Sequence, residues 1–413
     1  VEDLLQKTFN HLIPRSEKPQ CPDVGRLLKT GLRSFYYYEP ESGDTQVSIE
    51  SYWQQLPQND SYELQVENLR DYIATLILQK RLERIAEKEV GGLSAPRVYS
   101  GDFINIFRYS VVTASTTKGK WQDVLSLLDI TLRQAIQNGV TPQELELAKK
   151  EVQAYLIRQV RMDKSRKSTQ LIREMSYSIH KNRVFQSPEQ EQRLFNSAVS
   201  HFTAEDIQKS IVKLFNRSDK LIEVTGNAEL GNKGAEQQIL SLYNKVEKQQ
   251  LHKYAEEKIL QFPYLYPLQK TVKPFSNKKL DDIDVHRYTY ENKNILNFKK
   301  TNFKKNQVSV QIRFGPGERG EPAPGIAMLA EEIIDESGTG ALTRSQLEDV
   351  LAGSSVSHNF RIDTSQFSLS GTALTKDVKI LFDTLYSCLR DPGFRQEVYQ
   401  NTMTNVEQMY RSM

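Results

Sequence analysis

The chain has 413 residues, 38% of them hydrophobic and 26% charged, with a net charge of only +3. That length implies two or three domains, and the composition is that of an ordinary globular chain. So small a charge imbalance does not indicate a nucleic-acid partner or an anionic membrane surface, and no apolar run approaches the length of a membrane span.

In chain order, Val1, Leu4, Leu5, Phe9 and Leu12 have helical spacing, which Pro14, Pro19 and Pro22 then interrupt. Thr45 to Trp53 reads as a strand, and Leu64 to Glu89 as a long helix stopped at Gly91-Gly92. Strands are expected around Arg97 to Ser100 and Phe107 to Ser115, followed by a helix from Trp121 to Asn138 that ends at Gly139. Thr141-Pro142-Gln143-Glu144 is a capping box with Pro in the first turn of a helix running to about Arg161. Thr203 to Asp206 repeats that signal, and a short strand from Leu221 to Thr225 follows. A connection is expected from Gly226 to Asp284, containing a polar helix over Glu236 to Lys258 and then a semi-rigid segment around Pro263, Pro267 and Pro274.

A second unit begins near Val285, with strands at His286 to Tyr290, Ile295 to Asn297 and Gln307 to Phe314. A Gly- and Pro-rich turn leads to an apolar helix at Ile326 to Asp335. Another helix is opened by Thr343-Arg344-Ser345-Gln346, a strand alternates over Gln366 to Thr372, and an amphipathic helix covers Lys376 to Leu389. The order is that of an α+β layer fold rather than of strict strand–helix alternation. No signal-peptide pattern follows Val1, and the chain closes inside a helical pattern from Gln396 to Tyr410, so both ends are expected to be artificial or processing boundaries.

Several segments, taken in order, resemble the insulinase/pitrilysin family of zinc peptidases. In that family a Gly-rich turn precedes a helix written G-x-A-H-x-x-E-H; here the segment is Gly325-Ile326-Ala327-Met328-Leu329-Ala330-Glu331-Glu332. Glu331 falls on the family's catalytic Glu, while Met328 and Glu332 stand at the two His positions. Leu347 to Leu351, Phe367 to Gly371 and Leu389 to Phe394 resemble the helix, strand and helix ending that follow. In the first unit, Leu82 to Glu89, Glu144 to Ile157 and Phe202 to Ile207 are similar to the repeat that never carries zinc.

The resemblance implies an α+β fold, a two-layer antiparallel sheet with helices on one face, of the LuxS/mitochondrial-processing-peptidase-like metallopeptidase repeat. It implies a second homologous domain at 1–227, a helical and Pro/Lys-rich linker at 228–284, and the start of a third, inactive domain at 285–413. The chain would then be a non-catalytic piece of chamber wall and hinge in a zinc metalloendopeptidase. Its partners would be the remaining domains of the same polypeptide, the catalytic first and the fourth, and a peptide substrate. Zinc is expected in the parent's first domain and no cofactor in this chain. Relatives of bacterial origin point to a periplasmic or secreted parent, with the cytoplasm as the alternative.

The inverted zinc motif needs two His at i and i+4 on one helical face beside a Glu. The six His are His11, His180, His201, His252, His286 and His358, and no two lie three or four residues apart. A thioether at Met328 is soft and neutral, a poor zinc ligand. Glu331 and Glu332 read as solvated acids favoured at a helix start. Cys21 and Cys388 read as free thiols, with no CxxC knuckle.

Gly315 to Gly320 spells G-x-G-x-x-G after a strand, but Pro322 and Pro324 separate it from the helix, and Glu318 and Glu321 would repel a phosphate. A nucleotide-dependent oxidoreductase rests on that match alone. A second alternative is a catalytically dead structural partner of a peptidase. The basic runs at Lys299 to Lys305 and Arg161 to Arg166 read as solvated faces. Phe35, Tyr36 and Tyr37, within an aromatic run, are candidate substrate contacts, because peptides can pair with a strand edge beside aromatic pockets; an aromatic run packed under a sheet is the plainer account.

Overall fold

The computed structural model describes residues 2–13, 25–28, 31–55, 58–89, 92–103, 105–231, 233–255, 258, 260–265, 272–304 and 306–411. Val1, Pro14, Pro19, Cys21, Pro22, Gly91 and Pro267 lie outside the described residues.

Alternation of apolar residues makes the first sheet. Helix α1 (Glu2–Phe9) buries none of its residues. Strands β1 (Leu32–Tyr38) and β2 (Thr45–Gln54) precede the long helix α2 (Tyr62–Lys88), whose N-cap Ser61 accepts the amide of Leu64. A hairpin of β3 (Ser94–Phe103) and β4 (Phe107–Thr116) follows. Helices α3 (Trp121–Asn138), α4 (Pro142–Met162), α5 (Ser168–His180), α6 (Pro188–Val199) and α7 (Ala204–Phe215) lead to β5 (Lys220–Gly226) and α8 (Ala235–Val246). The capping boxes expected at Thr141 and Thr203 are both formed, each with its two reciprocal bonds.

The sheet order is β1-β5-β2-β4-β3. It is antiparallel except that β1 runs parallel to β5, so the expected antiparallel sheet carries one parallel edge. Val47 and Ile49 of β2, Val112 and Ala114 of β4, and Ile222 and Val224 of β5 point into one core with α2, α3, α7 and α8. Each of these Val and Ile side chains contributes roughly 1.5–3 kcal/mol on burial. All the covering helices lie on this one side.

Helices α5 and α6 and the strands at Ser276–Leu280 and Ser357–Asp363 were not expected from the sequence, and α8 and β1 depart from its reading in instructive ways. The helix expected over Glu236 to Lys258 stops at Val246, and Ala235, Ile239, Tyr243 and Val246 are buried in the first core rather than lying on a linker. Beyond it, the ring of Tyr254 stacks on the Arg81 guanidinium, 4.2 Å from Cζ to the ring centroid. Strand β1 was hidden because aromatic residues occupy both of its faces, which erases the alternation.

The second unit has two three-stranded sheets. One contains β6 (Ser276–Leu280), β7 (Val285–Thr289) and β8 (Ile295–Phe298). The other uses β9 (Gln307–Phe314), then, after helices α9 (Ile326–Glu336) and α10 (Arg344–Leu351), β10 (Ser357–Asp363) and β11 (Gln366–Leu374), in the order β10-β11-β9. Helices α11 (Val378–Arg390) and α12 (Gln396–Arg411) close the chain, and α11 packs Leu381 and Leu385 against Leu369.

The units meet along one face of α2. Lys80 pairs with Glu348 at 2.6 Å and Arg84 with both oxygens of Asp349 at 3.0 and 2.8 Å. Glu87 accepts the Ser345 amide at 2.7 Å in the first turn of α10. Positions 80, 84 and 87 share a helical face, so one stripe of α2 engages α10.

Candidate functional site

The sheet face opposite the helices has no covering layer among the described residues, and it is aromatic. Along β2, Gln46, Ser48, Glu50 and Tyr52 alternate with the core residues and so share this face. Cross-strand register sets Glu223 of β5 beside Phe35 of β1 and Ser48 of β2, and Tyr109 of β4 beside Tyr52. Phe103 stacks on Phe107 at 5.3 Å, and Tyr99 meets Tyr109 edge-on at 6.2 Å. Gly101 makes that arrangement possible: a Cβ there would lie 2.9 Å from the Tyr109 hydroxyl, so the ring crosses β3 over the glycine.

Two carboxylates sit in the middle of this face. The Ser48 hydroxyl, almost fully buried beneath them, lies 3.2 Å from Glu50 Oε1 and 3.3 Å from Glu223 Oε2, and its one proton serves one of them at a time. Tyr52 donates to the other oxygen of Glu50. Burial and then the neighbouring Glu223 charge push the Glu50 carboxyl up to about 7. Arg97 of β3 shares this face, opposite Thr113, which is in turn opposite Ser48. The sequence reading missed both acids; the only signal was a Glu at an outward position of each of two strands.

The two edges of this sheet differ. The amide of Val98 on β3 bonds Gln79 Oε1 of α2 at 2.7 Å, and Gln79 returns a bond to the Pro96 carbonyl at 2.8 Å. Pro96 and a register shift between Ser94 and Arg97 further blunt this edge. On β1, Lys220 N donates to Gly31 O at one end and Glu39 N to Gly226 O at the other. That alternation turns the backbone of 33, 35 and 37 toward β5 and leaves the amides and carbonyls of 32, 34, 36 and 38 on the outer side. Among the described residues no strand pairs there.

The expected substrate contacts separate accordingly. Phe35 and Tyr37 are 42% and 55% exposed and belong to the open face. Tyr36 turns to the helix side, where its hydroxyl donates to Ala228 O at 2.7 Å and accepts from Leu230 N at 3.1 Å. It anchors the segment after β5 and lies away from the face that Phe35 and Tyr37 share.

The residues at the family's metal positions lie on α9, in the other unit. Met328 is 47% exposed and Glu332 is exposed. Glu331 accepts the Ile362 amide at 2.7 Å and, one turn on, Asp335 accepts that of Phe360 at 2.8 Å. The two acids thus cover the outer edge of β10, where the sequence reading left Glu331 as a solvated acid. A thioether, an exposed carboxylate and a carboxylate already bonded to backbone do not fit a zinc ion. Among the described residues no three His, Cys, Asp or Glu side chains are grouped to hold a metal.

The glycines of the G-x-G-x-x-G match serve packing. A Cβ on Gly317 would lie 2.1 Å from the Asp363 carbonyl, and one on Gly315 2.4 Å from the Phe367 ring, so the loop clasps the β10–β11 turn. Glu321 accepts the Ala327 amide at 3.0 Å, filling the helix N-terminus where a phosphate would bind.

Comparison with known proteins agrees with the family resemblance. Residues 1–152 match the model of the peptidase M16 inactive domain, the insulinase/pitrilysin family. No curated protein matches the chain. The ferredoxin protease FusC, solved with Arabidopsis ferredoxin, is 17% identical with a TM-score of 0.60, over 100% of this chain and 46% of its own. The periplasmic protease PqqL from Escherichia coli is 18% identical with a TM-score of 0.55, over 96% and 44%. Pitrilysin is 13% identical with a TM-score of 0.53, over 91% and 39%. At these identities the likeness establishes the fold, and the chain spans under half the length of each of these structures. Among the described residues no helix is long and apolar enough to cross a membrane.

Proposed function

We propose that this chain, similar in its first unit to an inactive M16 domain, is a non-catalytic segment of a zinc metalloendopeptidase. The open aromatic face serves as a wall of the substrate chamber, and the outer edge of β1 pairs with an extended peptide. The observation that carries this reading is the contrast between the edges among the described residues: β3 is closed by Gln79, Pro96 and a bulge, whereas no described strand pairs with β1 beside Phe35 and Tyr37. An open edge is an aggregation hazard that folds ordinarily blunt, so leaving one bare suits strand addition. Zinc and the catalytic Glu are supplied by a preceding domain of the parent, and the α2–α10 contacts form part of the hinge between its halves. A periplasmic setting is supported by the likeness to PqqL.

The test is binding of an extended peptide of about ten residues by the wild-type chain and by a Ser34→Pro variant. Proline at 34 removes an outward amide while leaving the ladder to β5 in place. Binding by the wild type that falls at least about tenfold in the variant supports the reading, a tenfold loss being about 1.4 kcal/mol. Equal binding by both proteins would exclude β1 as the docking edge.

A further inference from the structure

We infer that α5 lies on a membrane surface, docking the chain on anionic lipid through an apolar stripe and the cations that bracket it. Helix α5 buries none of its 13 residues. Ile172, Met175 and Ile179 are 62%, 47% and 75% exposed. At i, i+3 and i+7 they lie on one helical face. Among the described residues no other helix or strand packs along α5. The ties that hold it are polar: Arg166 with Glu174 at 2.8 Å, Asn105 Nδ2 donating to His180 O at 2.8 Å, and Lys181 pairing with Asp102. A helix of this length is marginal in water by itself, and most helices are stabilised by the apolar face they bury. In α5 that face is turned outward, so the surface that buries it is external.

Charge selects that surface. From Arg158 to Arg183 the chain has eight Lys or Arg against two acids, an excess of six, while the whole chain carries only +3. Both acids, Asp163 and Glu174, pair with Arg166. Lys164, Lys167, Arg173 and Arg183 are exposed and make no ion pair among the described residues. Lys164 and Lys167 precede the helix, Arg173 lies within it and Arg183 follows it, so free cations bracket the stripe. The basic run that reads as a solvated face in the sequence thus leads into an exposed apolar stripe. Ile and Met along one face, with Lys, Arg and Ser around them, suit a helix lying in the lipid headgroup layer. There acyl chains bury the stripe and anionic phosphates meet the cations. Protein partners draw chiefly on Trp, Tyr and Arg anchors, and the stripe has none. Asn105 ties α5 to the β3–β4 hairpin, at the other side of the sheet from β1, so lipid and a peptide on β1 can be held at once.

The experiment measures sedimentation of the whole chain with vesicles of phosphatidylcholine alone and of equal parts phosphatidylcholine and phosphatidylglycerol. Partitioning is expected to be about tenfold stronger on the anionic vesicles and to fall with added salt. Ile172→Gln/Ile179→Gln, which keeps charge and helix propensity, should lose it. Lys164→Glu/Lys167→Glu/Arg173→Glu should lose the preference for anionic lipid. Both variants should keep the wild-type melting temperature, since α5 contributes no residue to either core. In Met175→Trp the indole emission should shift to the blue on anionic vesicles, which reports entry of the stripe itself into lipid. Equal, weak partitioning on both vesicles, or anionic binding that survives Ile172→Gln/Ile179→Gln, would overturn the inference. Soluble polyglutamate that displaces the chain from the vesicles and binds it more tightly would assign the surface to an acidic protein partner. A wild-type dimer that Ile172→Gln/Ile179→Gln makes monomeric would assign the stripe to a second copy. Vesicle binding that disappears when the parent's neighbouring domains are present would assign it to one of them. Each of these three results overturns the inference as well.

Discussion

Glu331 accepts the backbone amide of Ile362 at 2.7 Å, so the residue in the frame of a catalytic Glu is a structural acceptor. With Asp335 on Phe360, it makes α9 the cover of an otherwise open strand edge. Glu331→Ala therefore leaves a backbone donor unpaired and is expected to cost about 1–2 kcal/mol of stability in urea unfolding. Glu331→Gln, which still accepts, should cost less. Zinc content should be unchanged in both.

A buried ion pair organises the first unit. Arg81, fully buried, forks onto Glu144 at 2.6 and 2.7 Å and reaches the Gly139 carbonyl at 3.0 Å. Glu144 also receives the Thr141 amide at 2.8 Å, as the far arm of its capping box. Removing one partner leaves the other charge buried and unpaired, so Arg81→Met should destabilise by about 3–5 kcal/mol. Arg81→Met/Glu144→Gln should lose less than Arg81→Met alone, which a double-mutant cycle by chemical denaturation measures.

The Glu50 carboxyl sets a pH dependence. Glu223 crowds it, and Tyr99, Tyr109 and Arg97 stand nearby on β3 and β4. Its folded value of about 7 lies above the ordinary 4.5, so the protonated acid favours the folded state. That contribution is complete below about 4.5 and is lost as pH rises through 7. Glu50→Gln should accordingly raise the melting temperature at pH 8 and leave it nearly unchanged at pH 4.5. An equal shift at both values would contradict the assignment.

Ion pairs form a large part of the contact between units. Arg84 and Asp349 are 8% and 14% exposed, so their bidentate pair is partly shielded from salt. Arg84→Ala should weaken the docking of α10 on α2 by about 2–3 kcal/mol. Faster amide exchange across Arg344 to Leu351 would register it, with β2 and β4 unaffected.

Much of this arrangement was legible from residues. Thr141, Thr203 and Thr343 announced three helix starts, because a capping box is a local pattern that tertiary context seldom overrides. Gln307 to Phe314 was read at its observed bounds. Local pattern failed where a strand's two faces were alike, as in the aromatic β1, or where a helix was polar by composition yet buried one stripe, as in α8. The site was harder still. Glu50 and Glu223 are 173 positions apart and meet only because β5 inserts between β1 and β2. No spacing rule joins them. That the thioether of Met328 makes a poor zinc ligand, by contrast, follows from side-chain chemistry alone.

On the proposed function, this chain holds peptide without cutting it. The most direct measurement incubates the purified chain with one equivalent of zinc and an extended fluorogenic peptide, and follows bound metal, peptide binding and cleavage in the same sample. Saturable peptide binding, no stoichiometric zinc retained after gel filtration, and no cleavage are expected. One zinc retained per chain together with peptide hydrolysis would contradict it.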